Sequence, residues 1–496
     1  MRPIIQEIAS ASTPEALVEE LGGAPGVVLL RSGFFDSAQA RYSYVGARPF
    51  LSFRSFGARC ELVGSSEGLR VQFGNPWHLL DGLMARYELL DEVDLPFPLG
   101  GCFGYWGYDL KNFVEPRLKR NAIDDLELPD CQVGFYDSLV VFDHRLQKTW
   151  IVSTGLTVDG SRTEARAQEQ VEFWKACLQG RARCPHRPAE SQQQPERRGG
   201  DTAPYHPPAR ALPHSTFSRA GFLAAVQRAQ AYIRAGDIYQ VNLAQRLAVP
   251  CDASGWEIFQ NLAAVSPAPF SAYLDCGEFQ IASSSPELFL RLSGSHIQTR
   301  PIKGTRPRSA DPTRDAQLTY ELQTSPKEMA ELLMITDLLR NDLGRVCEYG
   351  SVQVPELVRL ERYPQVQHLV STVEGRLRSG TMHFTALATC FPGGSVTGAP
   401  KIRAMEIIDE LEPVTRGPYT GCLGYLGFNR ESQLSIIIRT AICKAGWSYF
   451  HAGAGIVADS QPEAEYEETL AKAAGFLAAL RRGSHAEPAA RTAVSL

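Results

Sequence analysis

The residues with the most chemical potential fall in the second half of the chain. Lys303 sits in Pro301-Ile302-Lys303-Gly304-Thr305, between an apolar residue and a glycine that lets a ligand approach the backbone. A lysine held among apolar neighbours loses hydration, which biases its amine towards the neutral, nucleophilic form. A solvated loop lysine is the alternative. Ser283-Ser284-Ser285-Pro286-Glu287 lies upstream, and a Glu-bearing helix lies downstream. In that helix, positions 331, 334, 335 and 338 share one face, which places Glu331 with Met334, Ile335 and Leu338. A buried carboxylate must be paired, hydrogen-bonded or bound to a cation. Glu328 adds a second carboxylate one turn earlier. The pair reads either as satisfied core glutamates or salt bridges or, with waters and an anionic ligand, as a Mg²⁺ site.

A second acidic cluster, Glu463, Glu465, Glu467 and Glu468, opens the last helix. Its apolar stripe is expected at Tyr466, Leu470, Ala474 and Leu477. Glu468 and Lys472 are an i,i+4 pair whose default is a solvated salt bridge, and spacing alone does not select Glu468 for chemistry. Arg439 follows Ile436-Ile437-Ile438 in a β-prone run and is expected to share a face with Ile437 and Ala441. An arginine there calls for an anion, and a guanidinium suits a carboxylate. Gly453-Ala454-Gly455-Ile456-Val457 reads as an anion-holding nest or as a turn. His368 stands alone, as a packing histidine does. No Walker loop and no helix-opening Gly-x-Gly-x-x-Gly is present.

These groups need elements to position them. A helix is expected from Ser218 to about Arg234, and a strand of alternating polar and apolar residues after Asp237. Further strands are expected at Pro267–Tyr273, Phe279–Ser283, Leu288–Ile297, Leu369–Gly375, Gly421–Phe428, Ser435–Cys443 and Trp447–Val457. Helices are expected at Ser325–Arg340, with a Ser325/Glu328 capping box, at Gly398–Leu411 and at Pro462–Leu480. In the first half, 26–30 and 139–142 read as strands, and 77–90 and 164–178 as helices. Gly101–Asp109, rich in glycine and aromatics, reads as tight strand packing or a ligand site. Helices and strands mix without a βαβ cadence, so the fold class is α+β with antiparallel sheets. Residues 184–214 are poor in large apolar groups and read as a disordered linker. That divides the chain into an N-terminal region, 1–183, a domain at 215–482, and a frayed tail at 483–496.

The 496 residues are 44% hydrophobic and 21% charged, with net charge −5, ordinary for a globular protein. No basic block invites nucleic acid or an anionic membrane. No secretory leader or long apolar run is visible. Eleven scattered cysteines without a Cys-x-x-Cys pair suit reduced thiols in a cytoplasm.

Taken together, the motifs resemble the chorismate-binding superfamily. The resemblance is dense over about 215–480. It rests on Asp237–Leu243, Pro269–Ala272, Ser285-Pro286-Glu287, Pro301–Arg308, Asp337–Asp342, Pro392–Lys401 and Gly453–Val457, and is looser through Leu29–Gly33 and Phe103–Leu110. It implies two large, mostly antiparallel β-sheets packed together with helices outside. Lys303 is similar to the lysine of the aminodeoxychorismate synthase component I branch, where anthranilate synthases carry alanine. The resemblance implies that Lys303 is a nucleophile, Glu287 the general acid/base, and His368 a residue beside the ring. It makes Glu331 and Glu468 ligands of Mg²⁺, with Glu328 and Glu465 on its waters. Gly304, Thr305, Thr397, Gly398, Ala399, Arg439, Gly455 and Lys472 become the substrate pocket. Ser32, Arg41, Tyr42, Pro269, Phe270 and Ser271 fall where relatives bind tryptophan. The expected activity is C4 amination of chorismate, the alternative being anthranilate formation. No amidotransferase module is visible, so ammonia is expected from a glutamine amidotransferase partner.

Overall fold

The computed structural model describes residues 2–33, 40–65, 68–89, 95–180, 213–363 and 365–482. The expected linker and tail lie outside them, apart from residues 213 and 214. The elements that carry the site are β1 (Gln240–Pro250), β2 (Phe279–Ser285), β3 (Leu288–Ser293), β4 (Ile302–Pro307), α1 (Pro326–Gly344), β5 (Val366–Arg376), β6 (Glu431–Ile436), β7 (Thr440–Lys444), β8 (Trp447–Ile456) and α2 (Pro462–Arg482).

Among the described residues, two sheets of twelve strands form, and their ladders are antiparallel. The α+β fold of two packed sheets is thus the one observed. Val141, Ile281 and Ile442 of the first sheet meet Phe103, Leu423 and Tyr425 of the second in a shared core. Helices cover the outer faces: α2 packs against the first sheet, while α1 covers part of the second.

The composition break does not divide the fold. Val28–Arg31 pairs with Phe270–Asp275 in the first sheet, and Gly101–Trp106 pairs with Cys422–Gly427 in the second. Both sheets therefore draw strands from both of the expected domains. Gly101–Asp109 follows its packing reading: a Cβ on Gly104 would stand 2.2 Å from the Gln132 carbonyl.

Two chain segments pass from one sheet to the other side by side. β2 belongs to the first sheet and β3 to the second, with Pro286-Glu287 between; proline cannot continue the ladder. β6 belongs to the second sheet and β7 to the first, so the expected single strand Ser435–Cys443 is broken. The break falls at Arg439, whose φ is 51°, and it removes the expected shared face with Ile437 and Ala441. The crossings bind each other: Ile436 N donates to Glu287 O at 3.1 Å, and Ser284 N to Arg439 O at 3.1 Å. The sheets part there and leave a cavity.

Other expectations shift for local reasons. Leu288–Ile297 is a hairpin turning at Gly294 (φ 55°), not one strand. The helix expected from Gly398 starts at Lys401, because Gly398 and Ala399 pair with β1. Ser325 caps α1, but Glu328 completes no capping box; its carboxylate turns to Arg306 instead. The buried stripe of α2 runs through Glu465, Thr469, Ala473 and Phe476, one position off the expected one.

Candidate active site

The parted sheets enclose a cavity of about 500 Å³. It brings together Lys303, Glu287, His368, Gly304, Thr305, Arg439, Gly455, Lys472, Glu328, Glu331, Glu465 and Glu468. Thr397, Gly398 and Ala399 do not line it. Thr397 is fully buried and bonds the Gly393 carbonyl, while Gly398 and Ala399 back β1, so the three support the wall behind Gln240.

Lys303 enters from β4, paired to β5 with a bulge at Gly304 (φ 66°). A Cβ on Gly304 would meet Leu322 at 2.8 Å and Glu328 at 3.1 Å, so only glycine admits both. The expected apolar setting is replaced by a polar one. Lys303 Nζ stands 3.0 Å from Glu331 Oε1 and donates to the Ser395 carbonyl at 3.2 Å. Ser395 lines the same cavity as Lys303 and Glu287. Glu287, on the crossing after β2, is only 6% exposed. Burial raises its carboxyl above the usual range; Ser395, Lys303 and the Ile302 N–H offset that only in part.

Glu331 does not sit in the apolar stripe of α1, which runs through Leu332, Ile335, Leu339 and Leu343. It flanks the stripe and faces the cavity. Burial would raise its carboxyl, yet Lys303 and the Gln240 amide, 2.5 Å away, hold it below the usual range. Across the cavity, Glu465 accepts from Ser460 Oγ at 2.6 Å, and Glu468 pairs with Lys472 at 2.7 Å. Lys472 also donates to the Gly453 carbonyl at 2.8 Å. Gly453 and Gly455 lie in regular strand, so neither a nest nor a turn forms. Their role is clearance: a Cβ on Gly455 would stand 2.5 Å from Gln240 Nε2 and 3.2 Å from Glu331 Oε1. Among the described residues no three Asp, Glu, His or Cys side chains converge on one point. The carboxylates that line the cavity, Glu328, Glu331, Glu465 and Glu468, are the donor type that a hard, oxygen-seeking cation such as Mg²⁺ takes.

His368 Nδ1 lies 2.8 Å from Thr305 Oγ1. Burial first, then Arg439, pull its pKa down to about 4, so the ring is neutral. The Arg439 guanidinium carries no hydrogen bond or ion pair among the described residues, and burial lowers its pKa from the usual range. An unpaired, largely buried guanidinium in a cavity wall is a receptor for an anion.

Sequence reasoning passed over Gln240, Asn242, Tyr419 and His451, which also line the cavity. Gln240 and Asn242 alternate along β1, and that polar period was a usable signal. Tyr419 and His451 carried none.

A profile of the chorismate binding enzyme family matches residues 32–478. The chain belongs to the chorismate-binding enzymes. Anthranilate synthase component 1 of Thermus thermophilus is 41% identical over 95% of this chain and 96% of its own length. Aminodeoxychorismate synthase component 1 of Klebsiella aerogenes is 40% identical over 91% and 93%. The solved anthranilate synthase component I of Streptococcus pneumoniae superposes with a TM-score of 0.73 at 29% identity, covering 89% of this chain and 93% of that one. Both branches are equally near this chorismate-binding enzyme.

The cleft expected to hold tryptophan gathers Ser32, Tyr42, Pro269, Phe270 and Ser271 between the sheets. Arg41 is not part of it: Asp143 holds its guanidinium in a fork, with Nε 3.0 Å from Oδ2. The cleft measures about 30 Å³ among the described residues. None of the ten described cysteines is in a disulfide. No helix among the described residues is long and apolar enough to cross a membrane.

Proposed function

We propose that this enzyme aminates chorismate at C4, as aminodeoxychorismate synthase component I, through a covalent Lys303 intermediate. The observation that carries the reading is a single cavity in which the Lys303 amine, held by the Ser395 carbonyl, and the buried Glu287 carboxyl both line the wall.

The Lys303 amine adds at C2; both ring double bonds shift, and the C4 hydroxyl leaves as water with the Glu287 proton. Ammonia then adds at C4, the double bonds shift back, and the C2–N bond breaks to release Lys303. The proton given up by the new ammonium returns to Glu287. A placed acid of this kind contributes about 10²–10⁴-fold. Arg439 and Lys472 bind substrate carboxylates, and neutral His368 packs beside the ring. Glu331 and Glu468 would hold Mg²⁺, with Glu328 and Glu465 on its waters, and the ion would supply charge to neutralise the ring carboxylate.

The ammonia is taken from a glutamine amidotransferase partner, and the product serves 4-aminobenzoate and folate synthesis. The near-equal likeness to anthranilate synthases keeps C2 amination as the second reading. Incubation of the protein with chorismate, ammonium and Mg²⁺, followed by mass and fluorescence analysis, decides between them. A non-fluorescent product with its enolpyruvyl group retained is expected; fluorescent anthranilate overturns the C4 assignment.

A further inference from the structure

A sheet ends in a strand whose outer backbone groups are unpaired, and such an edge invites another strand. Three of the four ends here are blunted. The first sheet ends in Ile4–Ile8, mostly half-buried, and in His214–Ser215, only two residues long. The second sheet ends beside the catalytic cavity. There α1 packs on β4, and the outlying strand Gln353–Arg362 carries Pro355, two register breaks and four charged residues. The fourth end, at the opposite edge of the second sheet from β4, is Leu69–Phe73. All five of its residues are exposed, its register on Arg59–Gly64 is unbroken, and it holds no proline.

Leu69, Val71 and Phe73 share one face of this strand and are 56%, 42% and 77% exposed; Val63, directly across the ladder from Leu69, is 44% exposed on the same face. Single exposed apolar residues need no explanation, but four on one face of an open edge do. The strand also matches itself. Antiparallel pairing about a two-fold axis at Val71 sets Val71 against Val71, Leu69 against Phe73, and Arg70 against Gln72. Every apolar side chain of the row then meets an apolar one, and the strand's one charge meets an amide. Moving the axis to Arg70 sets two guanidinium groups face to face, which selects the Val71 register.

We propose that Leu69–Phe73 is the contact through which two copies of this chain associate, joining their second sheets into one across a two-fold axis at Val71. The two β4 strands then lie at the outer ends of the joined sheet, so both catalytic cavities stay open. The inference is independent of which ring carbon is aminated. One strand pair makes a small interface, so exchange between single and paired chains is expected over the micromolar range.

Two measurements test this. Sedimentation equilibrium of the full chain between about 1 and 200 µM should show single and paired chains in exchange. Val71→Lys sets two ammonium groups against each other and should raise the dissociation constant of the pair about tenfold. Glu61 lies directly across the ladder from position 71 within the same chain, so the new charge has a partner and the melting temperature of the dilute protein should hold. Turnover per chain should hold as well. A chain that stays single over that range overturns the proposal, whether the strand is bare or covered by another part of the chain. A pair that Val71→Lys leaves intact overturns it too, since the contact then lies on another surface. The second measurement reads the register by cysteine trapping, against a background of described native cysteines that are buried or half-buried. Val71→Cys should give a disulfide-linked dimer on mild oxidation, above the wild-type level. Phe73→Cys should not, because its twin lies four residues along the partner strand, about 14 Å away. Mixing Phe73→Cys with Leu69→Cys should restore the crosslink. Dimers of Phe73→Cys alone that form as readily as those of Val71→Cys defeat the two-fold pairing.

Discussion

Lys303 and Glu331 form an ion pair across the cavity, Nζ to Oε1 at 3.0 Å, although they lie on different elements, β4 and α1. The amine expected to attack and the carboxylate expected to hold a cation are thus in direct contact. Lys303→Ala should abolish C4 amination with ammonia, by 10²-fold or more, since no other group supplies the first C–N bond. Product quantification by mass checks this; C4 amination at the wild-type rate in the variant rules out the covalent route.

Glu331→Gln removes the charge that pairs with Lys303 and that the proposed Mg²⁺ would use. The Mg²⁺ concentration for half-maximal turnover should rise at least tenfold, with little change in melting temperature. Mg²⁺ titration of initial rates reads it, and a wild-type Mg²⁺ response removes Glu331 from the ligand set.

Gly455→Ala places a methyl 2.5 Å from Gln240 Nε2. That atom is the far end of a flexible side chain, so the fold survives while the Gln240–Glu331 hydrogen bond is lost. A fall in kcat of about tenfold, with a melting temperature within a few degrees of wild type, is expected from one misplaced charge-assisted bond.

Arg439 is largely buried without a partner, which disfavours the folded state and favours an anion. Arg439→Met should raise KM for chorismate about 100-fold and leave thermal stability equal or higher. A large drop in melting temperature together with an unchanged KM contradicts the receptor role.

Acid should destabilise the protein through its buried imidazoles. His368 and His383 both fall from 6.5 to about 4, chiefly through burial. The unfolded chain binds more protons between those values, so stability falls as pH drops from 6.5 towards 4. The loss is ~3 kcal/mol for each histidine. Urea midpoints across that range measure it. His383→Gln, away from the cavity, should flatten the slope; an identical slope excludes His383 as a contributor.

The raised Glu287 carboxyl sets the opposite limb for activity. In the proposed mechanism its acid form is the working form, so the rate should fall as pH rises through the folded value, which lies above 4.5. Glu287→Gln should lose that limb along with about 10²–10⁴ of the rate.

Much of this site was readable because its motifs are local. Pro301–Thr305 and Ser285–Glu287 marked Lys303 and Glu287 through their resemblance to the family, and both residues line the cavity, although the apolar setting expected of Lys303 is not found. Glu331 was found for an approximate reason: helical period put it near an apolar stripe, but it flanks that stripe and faces Lys303. Arg439 was misread because a run of β-branched residues hides a left-handed turn that only the opposing sheet imposes. The α2 register slipped by one because Glu465 turns inward to Ser460, a contact no period encodes. The division at 184–214 failed as a fold boundary because strand pairing between distant segments leaves no trace in composition.

The two crossings between sheets have a mechanical consequence. Glu287 and Arg439 ride on neighbouring segments that are laced together at the seam, so the proposed proton donor and anion anchor are geared to each other. Sliding one sheet over the other displaces both together, and substrate grip and acid placement change in step. Wedging a bulky side chain between the layers far from the cavity should therefore register in kcat and KM alike.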